Sequence, residues 1–142
     1  MVYAVGVEIA PYLNFNGDCA EAFRMYADVL GGHIESLMTH ADMPSTQQAP
    51  PDWRDKILHA RMTVRGQVLL GSDVPSQYYH QPVGMAVSLT VPSPQEAQRI
   101  FEAFAQGGAV GMPFGPTFWS PGFGMITDRF GISWMIMALP TA

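Results

Sequence analysis

The sequence is nearly devoid of cysteine: Cys19 is the only one among 142 residues. A single thiol cannot form an internal disulfide, and no Cys/His pair has the spacing of a zinc finger. We therefore expect a fold held together without disulfides or structural zinc. This fits a reducing, cytoplasmic environment.

Charge is also scarce, and its balance is negative. Charged residues make up 13% of the chain, and seven Lys and Arg against twelve Asp and Glu give a net charge of −5. Such a chain lacks the basic surface that nucleic acid or an anionic membrane requires. Every apolar run is interrupted before it reaches the roughly 18 residues of a membrane span, and residues 1–7 lack the basic start of a signal peptide. We expect neither nucleic acid nor membrane as a partner.

Apolar residues, by contrast, are abundant at 48% of the chain. This content is ample for a packed core, and the length fits one domain over residues 1–142 or two small halves packed into one. The pattern of apolar residues along the chain distinguishes between one undivided domain and two packed halves.

Two segments have the design of amphipathic helices. The first is predicted to begin at an Asp18 N-cap and to stop at Gly31, and the second to begin at Ser93 and stop at Gly107. Their caps lie 75 residues apart (93 − 18), and the apolar stripes repeat at the same offset. This indicates an internal duplication. The stripes are Ala22, Met25, Tyr26 and Val29 in the first helix, and Ala97, Ile100, Phe101 and Phe104 in the second.

Each helix has one predicted strand before it and three after it, so each half reads βαβββ, over about residues 8–74 and 83–139. Residues 41–56 lack any helix or strand period and are predicted to be a long loop. The predicted strands cover residues 8–15, 33–39, 57–64, 67–72, 85–91, 109–114, 118–125 (continuing to Thr127) and 132–139.

Strand alternation separates two faces of the predicted sheet, because successive side chains point to opposite sides. We predict that the apolar rows pack under the helices. The opposite face is then either a pocket or plain solvent-facing surface, and its polar members are His59, Arg61, Thr63, Ser88 and Thr90.

Several motifs accompany the paired βαβββ units. They are YLNFNG at 12–17, Tyr26 with LGG at 30–32, LHA at 58–60 and FWSPGFGMITDRFGISWMI at 118–136. Together these features resemble the vicinal oxygen chelate superfamily, which includes glyoxalase I, bleomycin-resistance proteins and extradiol dioxygenases. Within it the chain is most similar to the PhnB-like branch, also called demethylubiquinone methyltransferase-like. The resemblance implies an α+β fold in which the paired modules form a cupped, eight-stranded mixed sheet with two helices outside. It also implies a homodimer with the site inside the cup.

Enzymes of that superfamily commonly hold a divalent metal through His, Glu or Gln on the first, fourth, fifth and eighth strands. The resemblance places these positions at Pro11, Leu70, Ala86 and Met135. None of these side chains is a ligand for such a metal. We therefore predict that the usual metal site is absent and that no cofactor is bound.

Six residues are candidates for ligand binding, and no catalytic residue is assigned. Each has a structural alternative: the histidine could be satisfied by a neighbouring strand or a dimer partner, the arginine could pair with an acidic residue, and the aromatic residues could simply be core. Cys19, at a helix start, could be an activated thiol, although no base accompanies it. The six are His59, Arg61, Ser88, Trp119, Phe123 and Met135.

The leading hypothesis is a PhnB-like protein that binds a small, partly apolar ligand in an aromatic-lined cup without the superfamily's metal. The alternative is an enzyme of the glyoxalase or dioxygenase type (a lyase, isomerase or dioxygenase) with a relocated metal site or a metal-free acid/base site. A structural or regulatory dimer without ligand is the third hypothesis. These hypotheses include both an enzyme and a protein without catalytic activity.

Overall fold

The computed structural model describes residues 6–44 and 50–140, so part of the predicted loop at 41–56 and the first residues of the chain lie outside it. The chain divides into two compact units, residues 1–77 and 78–142. Within the described residues each unit contains one α-helix and four strands. Neither helix is long and apolar enough to cross a membrane.

The first unit packs a helix on a mixed sheet. Its strands are ordered β1-β4-β3-β2, with β1 parallel to β4 and the other pairs antiparallel. In chain order the elements are β1 (Tyr12–Phe15), α1 (Cys19–Leu30), β2 (His33–Thr39), β3 (Ile57–Val64) and β4 (Gln67–Asp73).

The second unit repeats this topology. Its strands are ordered β5-β8-β7-β6, and again only the first pair is parallel. The predicted α+β architecture of two βαβββ units is confirmed, with the eight strands hydrogen-bonded as two mixed sheets of four. The elements are β5 (Val87–Val91), α2 (Pro94–Ala105), β6 (Ala109–Gly115), β7 (Phe123–Thr127) and β8 (Ser133–Ala138).

Both helices lie where the periodicity predicts them, and both bounds of α2 follow those of α1 by 75 residues (94 − 19 and 105 − 30). In α2 all four stripe residues are buried, whereas in α1 Met25 and Val29 are only half-buried. In α1 the buried side is completed by Cys19, Phe23 and Leu30.

The two helix N-termini are capped differently. Ser93 caps α2 as predicted, since its Oγ accepts the Glu96 N–H at 3.1 Å. Asp18 is the N-cap residue of α1 as predicted, but its side chain makes no cap hydrogen bond. The carboxylate of Asp73 at the end of β4 accepts the Cys19 N–H (2.9 Å) and also the Ile57 N–H (2.8 Å).

The bounds of some strands agree with prediction. The strands β2 and β3 have the predicted limits, and Arg65 and Gly66 join β3 to β4 with φ of 49° and 80°, the backbone of a tight hairpin. The strands β1, β5, β7 and β8 begin later than predicted.

A β-bulge interrupts the second strand of each unit. In β2 the register skips between Ile34 and Ser36, and in β6 between Val110 and Met112. One extra residue, Glu35 or Gly111, is accommodated at each bulge, and the residues after it change face. The bulge is thus duplicated along with the fold.

Candidate functional site

The predicted candidates that belong to strands lie on the face of each sheet that is turned away from its helix, here called the helix-distal face. On the opposite side the helices approach closely: a Cβ added to Gly71 would lie 2.9 Å from Phe23, and one added to Gly124 would lie 2.6 Å from Phe101. The apolar row of β3 does pack under α1, because Ala60 is paired with Gly71 and is fully buried.

The centre of the first unit's helix-distal face is an ion-pair network around Arg61. Its side chain donates from Nη1 and Nη2 to the two Glu8 oxygens at 2.6 and 2.8 Å, and from Nε to Glu35 at 2.8 Å. Only 6% of Arg61 is exposed. Of the two predicted roles for this guanidinium, the structure shows pairing with acidic residues. A role in binding a ligand carboxylate stays a prediction.

This network perturbs the ionisation of its members. The hydrogen bonds and positive charge of Arg61 lower the pKa of Glu8 against an opposing desolvation effect, and the hydrogen bond to Glu8 is the largest cause that raises the pKa of Arg61. The two groups are therefore both charged at neutral pH, and they link the residues before β1 to the middle of β3.

His59 lies on the same face, two residues before Arg61. Its Nδ1 is 3.3 Å from the Tyr12 hydroxyl, and the two rings are 5.8 Å apart. Its Nε2 is buried and has no hydrogen-bond partner among the described residues. Cross-strand contact with a tyrosine thus accounts for one ring nitrogen and leaves the other unsatisfied.

The second unit's helix-distal face is apolar and sulfur-rich. A cross-strand row begins at Met112 on β6 and continues through Met125 on β7 and Met135 on β8 to Ser88 on β5. Met112 is 42% exposed and Met125 is 38% exposed. The adjacent row contains Phe123, Met137 and Thr90.

Aromatic side chains stand beside this face on the segment that leads into β7. Trp119 packs edge-on against Phe123, with centroids 5.3 Å apart, and Phe118 packs on Trp119 at 4.8 Å. The segment is held by buried Ser120, whose Oγ donates to either the Gly122 or the Ala138 carbonyl (2.8 and 2.7 Å). Trp119 nevertheless remains 41% exposed.

Five of the six predicted residues thus lie on two faces, His59 and Arg61 in the first unit and Ser88, Phe123 and Met135 in the second. Trp119 stands beside the second face. The prediction missed Glu8, Glu35, Met112 and Met125. Glu8 precedes β1 and Glu35 sits in a bulge, so neither position carries an alternation signal that would reveal its partner.

Cys19 is not an activated thiol. The residue is fully buried, and burial raises the pKa of its thiol far above the ordinary value, with the nearby charges of Asp73 and Asp18 acting in the same direction. The predicted effect of the helix N-terminus is outweighed by desolvation and by these carboxylates.

The positions that the superfamily uses for a divalent metal do not fit one here. Two of the predicted positions, Pro11 and Ala86, precede β1 and β5 in the structure. The register instead pairs Leu70 with Tyr12 and Met135 with Ser88, so each unit offers at best one hydroxyl beside a carbon or thioether side chain. Over residues 6–44 and 50–140 no group of three or more His, Cys, Asp or Glu is arranged to hold a metal ion. A hard divalent ion needs several oxygen or imidazole donors.

A cleft of about 420 Å³ opens in the first unit near the start of α1, away from every predicted site residue. Its charged lining mixes both signs, and Lys56 already donates to the Gly17 carbonyl at 3.0 Å. The charged side chains are Asp18, Glu21, Arg24, Asp55, Lys56 and Asp73.

The two βαβββ units have the fold of the vicinal oxygen chelate class. The fosfomycin resistance protein FosX from Listeria monocytogenes has this fold, with a TM-score of 0.63 over 96% of this chain and 94% of that chain. At 10% sequence identity the likeness shows the fold alone.

Within that class, residues 7–137 match the family model described as 3-demethylubiquinone-9 3-methyltransferase. The chain therefore belongs to this PhnB-like family. It is 31% identical over 138 residues to Protein YjdN of Escherichia coli K12, covering 90% of this chain and 92% of that protein.

Two solved structures support the assignment. Protein PA1353 from Pseudomonas aeruginosa is 47% identical, with a TM-score of 0.86 over 96% of this chain and all of that chain. A Bacillus cereus PhnB protein, described as a putative 3-demethylubiquinone-9 3-methyltransferase, is 27% identical, with a TM-score of 0.78 over 93% of this chain and 99% of that chain.

Proposed function

We propose that this PhnB-like protein binds a small, partly apolar organic molecule on the helix-distal face of its second unit. The observation that carries the proposal is the partial exposure of large apolar side chains on one sheet face, among them Met112 and Met125, beside the exposed ring of Trp119. Apolar surface bordered by a few polar groups is typical of small-molecule sites.

The face has the chemistry of a site for an amphipathic ligand. Trp119 supplies rigid, exposed aromatic surface and is backed by the buried ring of Phe123. The methionines supply polarisable side chains that adapt to the shape of a ligand. The hydroxyls of Ser88 and Thr90 lie on the β5 edge of the same face and can hydrogen-bond a polar substituent. The residues with these roles are site residues predicted from the sequence and their neighbours in the strand register.

Binding without proton transfer fits this face, because the side chains that compose it are methionine, aromatic and hydroxyl groups that do not titrate near neutral pH. The methyl transfer in the family's description draws no support from the sequence, which lacks a glycine-rich nucleotide-binding turn. A metalloenzyme would need donors other than those at the superfamily's usual positions.

The test uses anilinonaphthalene sulfonate, a fluorescent amphipathic probe. We expect saturable binding with energy transfer from tryptophan, and we expect Trp119→Ala to weaken it about tenfold, the equivalent of roughly 1.4 kcal/mol for a lost aromatic contact. The matched control is Tyr78→Ala, which removes another aromatic side chain of the same unit that is 70% exposed. Equal weakening by both variants would contradict the proposal.

Metal analysis tests the alternative. Protein purified with and without added Ni, Mn, Fe or Zn is expected to bind none of them stoichiometrically. Stoichiometric binding of one of these metals by the wild type that is lost in His59→Ala would favour the metalloenzyme. It would overturn the proposal that the organic ligand binds without such a metal.

We also propose a cytoplasmic homodimer. The family resemblance supports the dimer, and the near absence of cysteine fits the compartment. Sedimentation equilibrium tests the dimer, and a monomer at micromolar concentration would contradict it. Cell fractionation tests the compartment.

A further inference from the structure

We propose that Met112, Met125 and Met135 form a binding site for a soft monovalent cation, namely Cu(I), for which Ag(I) is a redox-stable substitute. This inference does not depend on the proposed organic ligand. It rests on the register of three strands, which places three thioether side chains at consecutive cross-strand positions.

The strand spacing brings the three sulfur atoms within reach of one ion. Neighbouring strands lie about 4.8 Å apart, and directly opposed Cβ atoms are about 4.5–5.5 Å apart. Met125 occupies the central strand, so the flanking methionines need only lean toward it, which their flexible unbranched side chains allow. Met112 reaches this face because of the Gly111 bulge, since regular alternation would place it with Val110 on the helix side.

The donor set selects the class of metal. Thioethers are neutral, soft ligands that suit Cu(I), whereas Mg, Ca and Mn require oxygen donors. The protein's net charge of −5 favours accumulation of a cation over an anion near its surface. A site of this kind is distinct from the His and carboxylate sites of the superfamily.

The fold itself does not demand methionine at these positions. In the first unit the corresponding residues, counted from the first residue after the bulge, are Ser36, Arg61 and Leu70. The two exposed members, Met112 and Met125, are also accessible to an ion in solution. Packing alone would be served equally well by leucine, which makes Met→Leu the informative substitution.

The test is an Ag(I) titration of protein labelled with ¹³C at the methionine methyl groups. Ten methionines give ten methyl signals, assigned through single Leu variants. We expect the signals of the three site residues to shift together and saturate at one equivalent, and we expect Met125→Leu to abolish this step. Met38→Leu is the control, since Met38 is 44% exposed on β2 and has no methionine cross-strand partner.

Three results would overturn the proposal. They are the absence of methyl shifts, equal shifts of Met38 or the 79% exposed Met85 at the same concentration of Ag(I), and retention of the step in Met125→Leu. If Cys19 binds the first equivalent of Ag(I) and the methionine methyl signals do not change, the result counts as an absence of methyl shifts. Because Met125→Leu keeps the face apolar, retained dye binding in this variant separates loss of the cation site from loss of the organic ligand site.

Discussion

In the first unit, the cross-strand row that follows the bulge carries Ser36, Arg61, Leu70 and Tyr12, and a buried guanidinium occupies its centre. In the second unit the same four positions carry Met112, Met125, Met135 and Ser88, and a partly exposed thioether occupies the centre. The first unit thus holds its own cationic side chain, Arg61, between carboxylates, and the second unit presents neutral sulfur atoms.

The difference shows which part of a duplicated unit is constrained. The helix side of each sheet must admit a helix at close range, and both units meet this requirement with a glycine, Gly71 in the first and Gly124 in the second. The helix-distal side has no such requirement, and it is ionic in the first unit and apolar in the second. Function is therefore best sought on the side where the two units differ.

The largest expected effect on stability comes from removing a side chain that caps a helix. Asp73→Ala removes the acceptor of two buried backbone N–H groups in the first unit and is expected to cost about 3 kcal/mol of unfolding free energy. Ser93→Ala removes one local cap in the second unit and is expected to cost about 1 kcal/mol. Urea unfolding followed by circular dichroism measures both, and equal costs would break the contrast between a long-range and a local cap.

Arg61→Met makes the centre of the first row resemble that of the second. It leaves Glu8 and Glu35 without their shared cation, so we expect a lower melting temperature at neutral pH. Because Arg61 lowers the pKa of Glu8 in the folded state, the pair stabilises the fold above the ordinary carboxyl pKa of about 4.3. This stabilisation is lost as the pH falls through the lower, folded-state value.

The melting-temperature difference between wild type and Arg61→Met should therefore be constant from pH 6 to 8 and shrink below about pH 4. Arg24→Met is the control, because Arg24 is an exposed arginine of the same unit. A difference that does not depend on pH would show that lost packing, rather than charge, explains the effect.

Met125→Leu is the smallest expected change in stability. The two side chains have similar volume, and the substitution is expected to shift the unfolding free energy by less than about 1 kcal/mol. Denaturant unfolding measures this. A larger loss would mean that the sulfur-rich row is needed to stabilise the second sheet. The row would then be structural in both units, and the contrast with the proposed binding row of the second unit would disappear.

Much of the architecture follows from local patterns. The apolar periodicity and glycine stops predict both helices, Ser93 predicts its own cap, and alternation predicts the two faces of β3 and β5. These features depend on residues within a few positions of each other, so the sequence carries them directly.

The site was less predictable. Alternation correctly places His59 and Ser88 on helix-distal faces. The face of Met112 depends on the bulge at Gly111, which gives no clear signal in the sequence. The contact between Arg61 and Glu8 spans 53 residues and depends on strand order. Such a contact cannot be inferred from either residue's neighbours.

The sequence by itself determined the duplication, the two helices, the approximate positions of eight strands and membership of a family, because these are encoded by short-range periodicity and motifs. The tertiary structure decided that the side chain of Asp73 rather than that of Asp18 caps α1, that Arg61 is held by two carboxylates, and that three methionines share one row. Each of these depends on how the strands pair and pack, which local periodicity does not encode. Only the folded sheet brings those residues together.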